Sequence, residues 1–213
     1  MKKTILILLI FLNCNSIYSQ NDSRAISLLN KVSEKIDSSV SFKINFTYTL
    51  DNVTEGINQN SDGSIIIKED NYLLDFMGIK QLSDADKIYS IVPENEEIII
   101  SNIEDDDNNT IKPSKLLVFY RDGYLILWDK KEIIDDNVIQ FVKLIPIDSV
   151  SDINYLLLGI DTKTNDIKKL IEIGKNQTKT ILSVKSIEYD ILIEDDLFVF
   201  NKDNYPTYYI ESF

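Results

Sequence analysis

Ser64-Ile-Ile-Ile-Lys68, Tyr72-Leu-Leu-Asp-Phe-Met77, Lys87-Ile-Tyr-Ser-Ile-Val92 and Glu97-Ile-Ile-Ile-Ser101 follow one another between Ser61 and Ser101, separated by Glu69-Asp-Asn71, Ser83-Asp-Ala-Asp86 and Pro93-Glu-Asn95. Short runs rich in Ile, Val, Tyr and Phe, each closed by a few turn-forming residues, read as an antiparallel meander. The gaps are too short for the crossovers that parallel strands need, about a dozen residues or more. The middle of the chain is therefore read as one up-and-down sheet.

Upstream, Ser41-Phe-Lys-Ile-Asn-Phe-Thr-Tyr-Thr-Leu50 alternates Phe42, Ile44, Phe46, Tyr48 and Leu50 with polar residues, the pattern of a strand with one face in water. Before it, Asp22 or Ser23 caps a helix over Arg24–Ile36 whose Ile26, Leu29, Val32 and Ile36 form one apolar stripe. Asp51 to Asn60 reads as a polar connection. Downstream, strands are expected at Tyr124–Asp129, Val138–Ile145, Ile153–Asp161, Ile167–Ile173 and Lys179–Tyr189, with a last short one at Leu197–Phe200. The aromatic tail Tyr205-Pro-Thr-Tyr-Tyr-Ile210 is expected to cover an edge. Pro113 suits the first turn of a short helix, Pro113–Tyr120, with Leu116, Leu117, Phe119 and Tyr120 as its apolar residues.

The 213 residues open with Lys2-Lys3, the apolar run Ile5–Leu12 and a polar stretch ending in Ser19-Gln20. That order matches a secretory signal peptide over residues 1–20, and its apolar run is shorter than the ~20 residues that span a bilayer. Residues 21–213 then make a single domain. Cys14, the one cysteine, follows the apolar run as a lipid-bearing cysteine would, but the bulky Asn13 precedes it where a small residue is the rule. With the signal removed, neither cysteine nor histidine is left, which excludes disulfides, thiolate nucleophiles, imidazole bases and most zinc or copper sites.

The chain carries 22 basic and 35 acidic residues and a formal net charge of −13, which repels phosphate backbones, so no nucleic acid partner is expected. Asp105, Asp107 and Asn109 share the opening spacing of a calcium loop, but Thr110 replaces the required Gly and Leu116 the closing Glu, so no metal is assigned. No cofactor is implied. Without histidine or cysteine, catalysis would need paired carboxylates or a Ser-Lys arrangement, and no segment carries either as a motif. Asp75 is the one carboxylate set in an otherwise apolar strand, and its neighbours place it on the outer face beside Leu73. No enzyme activity is assigned.

About eleven antiparallel strands with two helices make a mainly β fold, an unclosed antiparallel β-barrel with a helical lid. The helices either complete a packed core or plug a cavity for an apolar ligand.

Asn45-Phe-Thr-Tyr-Thr-Leu50 followed by Glu55-Gly-Ile57, Tyr72-Leu-Leu-Asp-Phe-Met77 with Ser83-Asp84 and Lys87-Ile-Tyr89, Pro113-Ser-Lys-Leu-Leu117, Leu144-Ile-Pro146, Leu170-Ile-Glu-Ile-Gly174 and Leu197-Phe-Val-Phe200 through Tyr205-Pro206 occur in an order and spacing that resemble the LolA family of outer-membrane lipoprotein carriers, in its Bacteroidetes-type members. The resemblance implies a periplasmic, monomeric carrier that takes the acyl chains of triacylated lipoproteins from an inner-membrane exporter of the LolCDE type to the outer membrane, where the acceptor is unknown. A lipid-anchored lipoprotein receptor or a periplasmic lipid-sensing domain of the same fold is the alternative. Strand phase then assigns Phe46, Tyr48, Ile65, Ile67, Tyr72, Leu74, Phe76, Tyr89, Ile91, Ile98 and Ile100 to the cavity wall, and Leu116, Leu117, Phe119 and Tyr120 to the lid. An arginine that pins the lid in proteobacterial members has no counterpart in Lys68-Glu-Asp70, which leaves Lys68 as a substitute.

Overall fold

The structure, a computed structural model, describes residues 21–103, 119–194 and 196–213. Among the described residues one α-helix, α1 (Ser23–Asp37), precedes the sheet. Asp22 caps it, accepting a hydrogen bond from the Arg24 backbone N–H at 2.9 Å, and its stripe of Ala25, Leu28, Leu29 and Val32 is buried. Side chains such as Leu29 and Val32 each contribute roughly 1.5–3 kcal/mol when fully buried, so tertiary packing rather than intrinsic propensity holds the helix in place.

Twelve strands follow: β1 (Ser41–Asn52), β2 (Ile57–Lys68), β3 (Asn71–Phe76), β4 (Ile79–Ser83), β5 (Lys87–Val92), β6 (Glu97–Asn102), β7 (Tyr124–Ile134), β8 (Asn137–Pro146), β9 (Ile153–Asp161), β10 (Ile167–Gly174), β11 (Lys179–Tyr189) and β12 (Tyr209–Ser212). They form one sheet in the order β12-β6-β5-β4-β3-β2-β1-β11-β10-β9-β8-β7. The order does not close on itself, so the sheet is an unclosed barrel with β7 and β12 at its edges. Adjacent strands are antiparallel except for the short β12, which runs parallel to β6.

Two-residue turns with both residues at positive φ set the tight hairpins: Met77-Gly78 (52° and 77°) between β3 and β4, and Asp135-Asp136 (47° and 62°) between β7 and β8. Such turns match the right-handed twist of the strands they join. Met77-Gly78 also marks a strand that the sequence reading passed over, since β4, Ile79–Ser83, pairs with both β3 and β5. Asp51 to Asn60, expected as a polar connection, is mostly strand and closes around a short turn at Gly56. Leu197–Phe200 is not a strand, because Asp196, Leu197 and Phe198 form a turn. The aromatic tail does cover an edge, through the pairing of Tyr209–Ser212 with Glu97–Ile100.

Registers divide the side chains between two faces. Phe42, Ile44, Phe46 and Tyr48 on β1 face the same way as Ile65 and Ile67 on β2, and as Tyr72, Leu74 and Phe76 on β3. α1 lies on this inner face. It packs against Ile126, Val142, Leu144, Leu156, Leu158, Ile160 and Ile167 of β7 to β10.

Candidate functional site

The inner face carries two apolar clusters side by side. The first combines the α1 stripe with β7 to β10 and takes in Tyr120, with Phe119 packed at its margin. Eleven of its twelve buried members are aliphatic. The second consists of Phe42, Ile44, Phe46, Ile65, Ile67 and Tyr72, flanked by Tyr48, Leu74, Phe76, Leu182, Val184, Ile187 and Tyr189. Among the described residues Ile36 is the apolar side chain that α1 packs against this second cluster, and Lys35 reaches its edge at Tyr189. Its centre is aromatic: the Phe46 and Phe76 rings lie 5.5 Å apart and those of Tyr48 and Phe76 5.4 Å apart. Gly63 on β2 makes room for them, since a Cβ there would stand 2.5 Å from Phe46 Cζ and 2.9 Å from Phe76 Cδ2.

Seven of the expected wall residues therefore come together in this patch: Phe46, Tyr48, Ile65, Ile67, Tyr72, Leu74 and Phe76. The other four do not. Tyr89, Ile91, Ile98 and Ile100 share the face of Leu82 and Leu73, opposite to that of Tyr72 and Leu74. The chain beyond β11 occupies that outer face, with Phe200 stacked on Tyr89 at 4.5 Å and Tyr205 stacked on Phe200 at 5.9 Å. Burial, with Asp84 accepting a hydrogen bond from its hydroxyl at 2.8 Å, pushes the Tyr89 phenol up to about 12. On the inner face β5 instead presents Ile88, Ser90 and Val92. Asp75 is exposed on the outer face, as expected.

Of the lid residues, Leu116 and Leu117 lie outside the described residues, as does the rejected calcium-loop spacing. Phe119 and Tyr120 begin a single 3-10 turn, Phe119–Arg121. This turn is fastened to α1: the Tyr120 hydroxyl lies 3.0 Å from Ser33 Oγ, and Arg121 donates to both carboxylate oxygens of Asp37 at 2.9 and 2.7 Å.

A second fastening joins α1 to the sheet. Lys35 Nζ donates to Asp166 Oδ1 at 2.5 Å and to the Thr164 carbonyl at 3.0 Å, and the Tyr189 hydroxyl donates to the same Asp166 oxygen at 2.5 Å. The ammonium also lies 4.4 Å from the centre of the Tyr189 ring. Burial alone would push the Asp166 carboxyl up, but hydrogen bonds from Lys35, Tyr189 and Thr164 outweigh it and hold the group below the usual carboxylate range. Burial and the adjacent Asp166 carboxylate raise the Tyr189 phenol. Sequence reading missed this group because Lys35 and Asp166 are far apart in the chain. Lys68, the expected substitute for the missing arginine, forms no ion pair among the described residues.

Between α1 and the sheet, Val32, Ile36, Phe42, Ile44, Asn165, Ile167, Ile187 and Tyr189 enclose a cavity of about 10 Å³. That is roughly one water's worth of space, against the ~300 Å³ or more of a ligand pocket. The contacts at the junction of the two clusters are closed, and a guest there has to displace side chains.

No protein-family model matches the chain, and no curated protein matches it in sequence. Solved structures share the fold. An uncharacterized conserved protein from Thermus thermophilus has a TM-score of 0.60 at 9% identity, over 89% of this chain and 99% of that one. The Mycobacterium tuberculosis lipoprotein LppX has a TM-score of 0.51 at 9% identity, over 82% and 99%. A LolA superfamily protein from Nitrosomonas europaea has a TM-score of 0.42 at 13% identity, over 83% and 97%, too loose a superposition to argue from. The first two establish a common fold and leave activity open.

Proposed function

We propose that the protein is a monomeric periplasmic carrier of the LolA type, of Bacteroidetes kind, which holds the acyl chains of triacylated lipoproteins on its inner face between an exporter of the LolCDE type and the outer membrane. The reading takes residues 1–20 as the signal peptide and 21–213 as the carrier domain. The observation that carries it is the aromatic patch of Phe46, Tyr48, Tyr72, Leu74 and Phe76, which lies on the helix-bearing face in a cluster that, among the described residues, takes from the helix the single apolar side chain of Ile36. A sheet that needed nothing more than a core would be served by the helix-covered cluster next to it.

Each methylene moved from water onto such a patch contributes ~0.8 kcal/mol, so acyl chains of bacterial length give ample gross affinity. Side chains that close the junction when it is empty compete with the guest and lower the net affinity, which eases release. Leu116, Leu117, Phe119 and Tyr120 are proposed as the lid in this exchange. The negative surface, −13 over the whole chain, opposes adhesion to anionic membranes between encounters. No catalytic role is proposed for Asp75.

The test is displacement of an apolar fluorophore from the purified protein by a synthetic triacylated peptide. Binding of the fluorophore and its displacement are expected. A cooperatively folded protein that binds neither would contradict the reading.

A further inference from the structure

The apolar patch has a polar margin, and its chemistry is directional. Gln81 on β4 stands opposite Leu74 in the β3–β4 register, and Ser90 on β5 stands opposite Gln81, so both lie on the inner face beside the aromatic cluster. The Tyr72 hydroxyl, within the cluster, donates to Gln81 Oε1 at 2.8 Å, and Gln81 Nε2 donates to Ser90 Oγ at 3.0 Å. Both hydrogen bonds point the same way, from the buried phenol outward across three strands. Aligned hydrogen bonds polarise one another, which sharpens the donor at the far end of the row. At that end Ser90 Oγ acts as acceptor, leaving its own O–H to donate, and Gln81 keeps a second amide N–H.

Resting on the carrier reading above, we infer that Gln81 and Ser90 form a subsite that reads the carbonyl oxygen of the ester or amide linking an acyl chain to its carrier molecule. A pure hydrocarbon gives these donors nothing, and binding one beside them would strand them away from water. An acyl chain laid over Phe76 and Leu74 with its linkage at Gln81 satisfies both requirements, because the apolar and polar residues sit in adjacent register positions. The inner face then selects acyl esters and amides over alkyl chains of equal length.

The test compares 1-palmitoyl lysophosphatidylcholine with its 1-O-hexadecyl ether analogue, which keeps the chain and headgroup and lacks the carbonyl, each below its micelle-forming concentration. Affinities are read by displacement of an apolar fluorophore. The wild-type protein is expected to hold the ester about fivefold more tightly, the worth of one ordinary hydrogen bond. Ser90→Ala weakens the preference and Ser90→Ala combined with Gln81→Leu abolishes it, bringing the two lipids to equal affinity, while Ser90→Thr retains it. Equal binding of the two lipids by wild type, or a preference that survives in the Ser90→Ala, Gln81→Leu double variant, overturns the subsite and leaves the carrier reading standing. Failure of the folded wild-type protein to bind either lipid overturns the carrier reading and the subsite with it.

Discussion

The two clusters of the inner face are built on one sheet and differ in what covers them. β7 to β10 offer branched aliphatic side chains to α1, and helix and strands interlock into a core in which Val142, Leu144, Leu158 and Ile160 have no exposed surface. β1 to β3 offer rings, and among the described residues the helix packs the single apolar side chain of Ile36 on their cluster. Branched aliphatic residues in few rotamers suit a fixed interior. Flat rings bring large area and tolerate several packing angles, as the tilted and edge-on pairs around Phe76 show. A single face thus divides into a half that stabilises the fold and a half suited to an exchangeable apolar guest.

The largest effect is expected within the helix-covered half. Leu158→Ala is expected to cost about 2–5 kcal/mol in urea unfolding, as for other fully buried leucines, with fluorophore affinity unchanged in the folded fraction. If affinity fell together with stability, the two halves would not be separable.

The fastening between them comes next. Asp166→Asn weakens a charge-assisted pair to Lys35 and is expected to cost about 1.5–3 kcal/mol at neutral pH. Because the folded carboxyl titrates below its ordinary 3.8, the stability that it contributes is present above that value and is lost as pH falls through the folded one. Urea titrations of wild type and Asp166→Asn should therefore converge in acid, and a constant gap across the range would show that the pair contributes nothing through charge.

Gly63→Ala probes the aromatic half. The new methyl drives the Phe46 and Phe76 rings apart, at an expected cost of about 1–3 kcal/mol. Fluorophore affinity should change as well, which distinguishes this variant from Leu158→Ala.

The smallest effect belongs to Glu172 on β10. Burial raises its carboxyl above the ordinary 4.5. A raised carboxyl favours the fold below the unfolded value and loses that contribution as pH rises through the folded one. Glu172→Gln should therefore stabilise slightly at neutral pH and match wild type in acid, as read by thermal melts at the two pH values; destabilisation at neutral pH would run against the burial argument.

Alternation made β1 legible from its residues, and the three-and-four spacing made α1 legible to within a residue at each end. β5 was not legible in the same sense. Ile88 and Ile91 point to opposite faces and both are buried, the first on the inner face and the second on the outer, so the strand has no alternation from which to read its phase. Placing Tyr89, Ile91, Ile98 and Ile100 in the wall followed from that ambiguity, together with the overlooked hairpin at Met77-Gly78 that inserts β4. The outer-face partner of Tyr89, Phe200, comes from the far end of the chain, and no local pattern announces a contact of that range. The same holds for Lys35 with Asp166.

In the proposed carrier an acyl chain lies on the β1 to β3 patch and not beneath α1. The native chain has one tryptophan, Trp128, packed at the margin of the helix-covered cluster. Titrating a bromine-labelled palmitoyl lysolipid against wild type, and against a Phe76→Trp variant that also carries Trp128→Phe, reads the two halves separately, because bromine quenches indole fluorescence at short range. Strong quenching of the indole introduced at position 76, with Trp128 unaffected in wild type, is the predicted result. Quenching of Trp128 while the indole at position 76 keeps its emission would contradict the account.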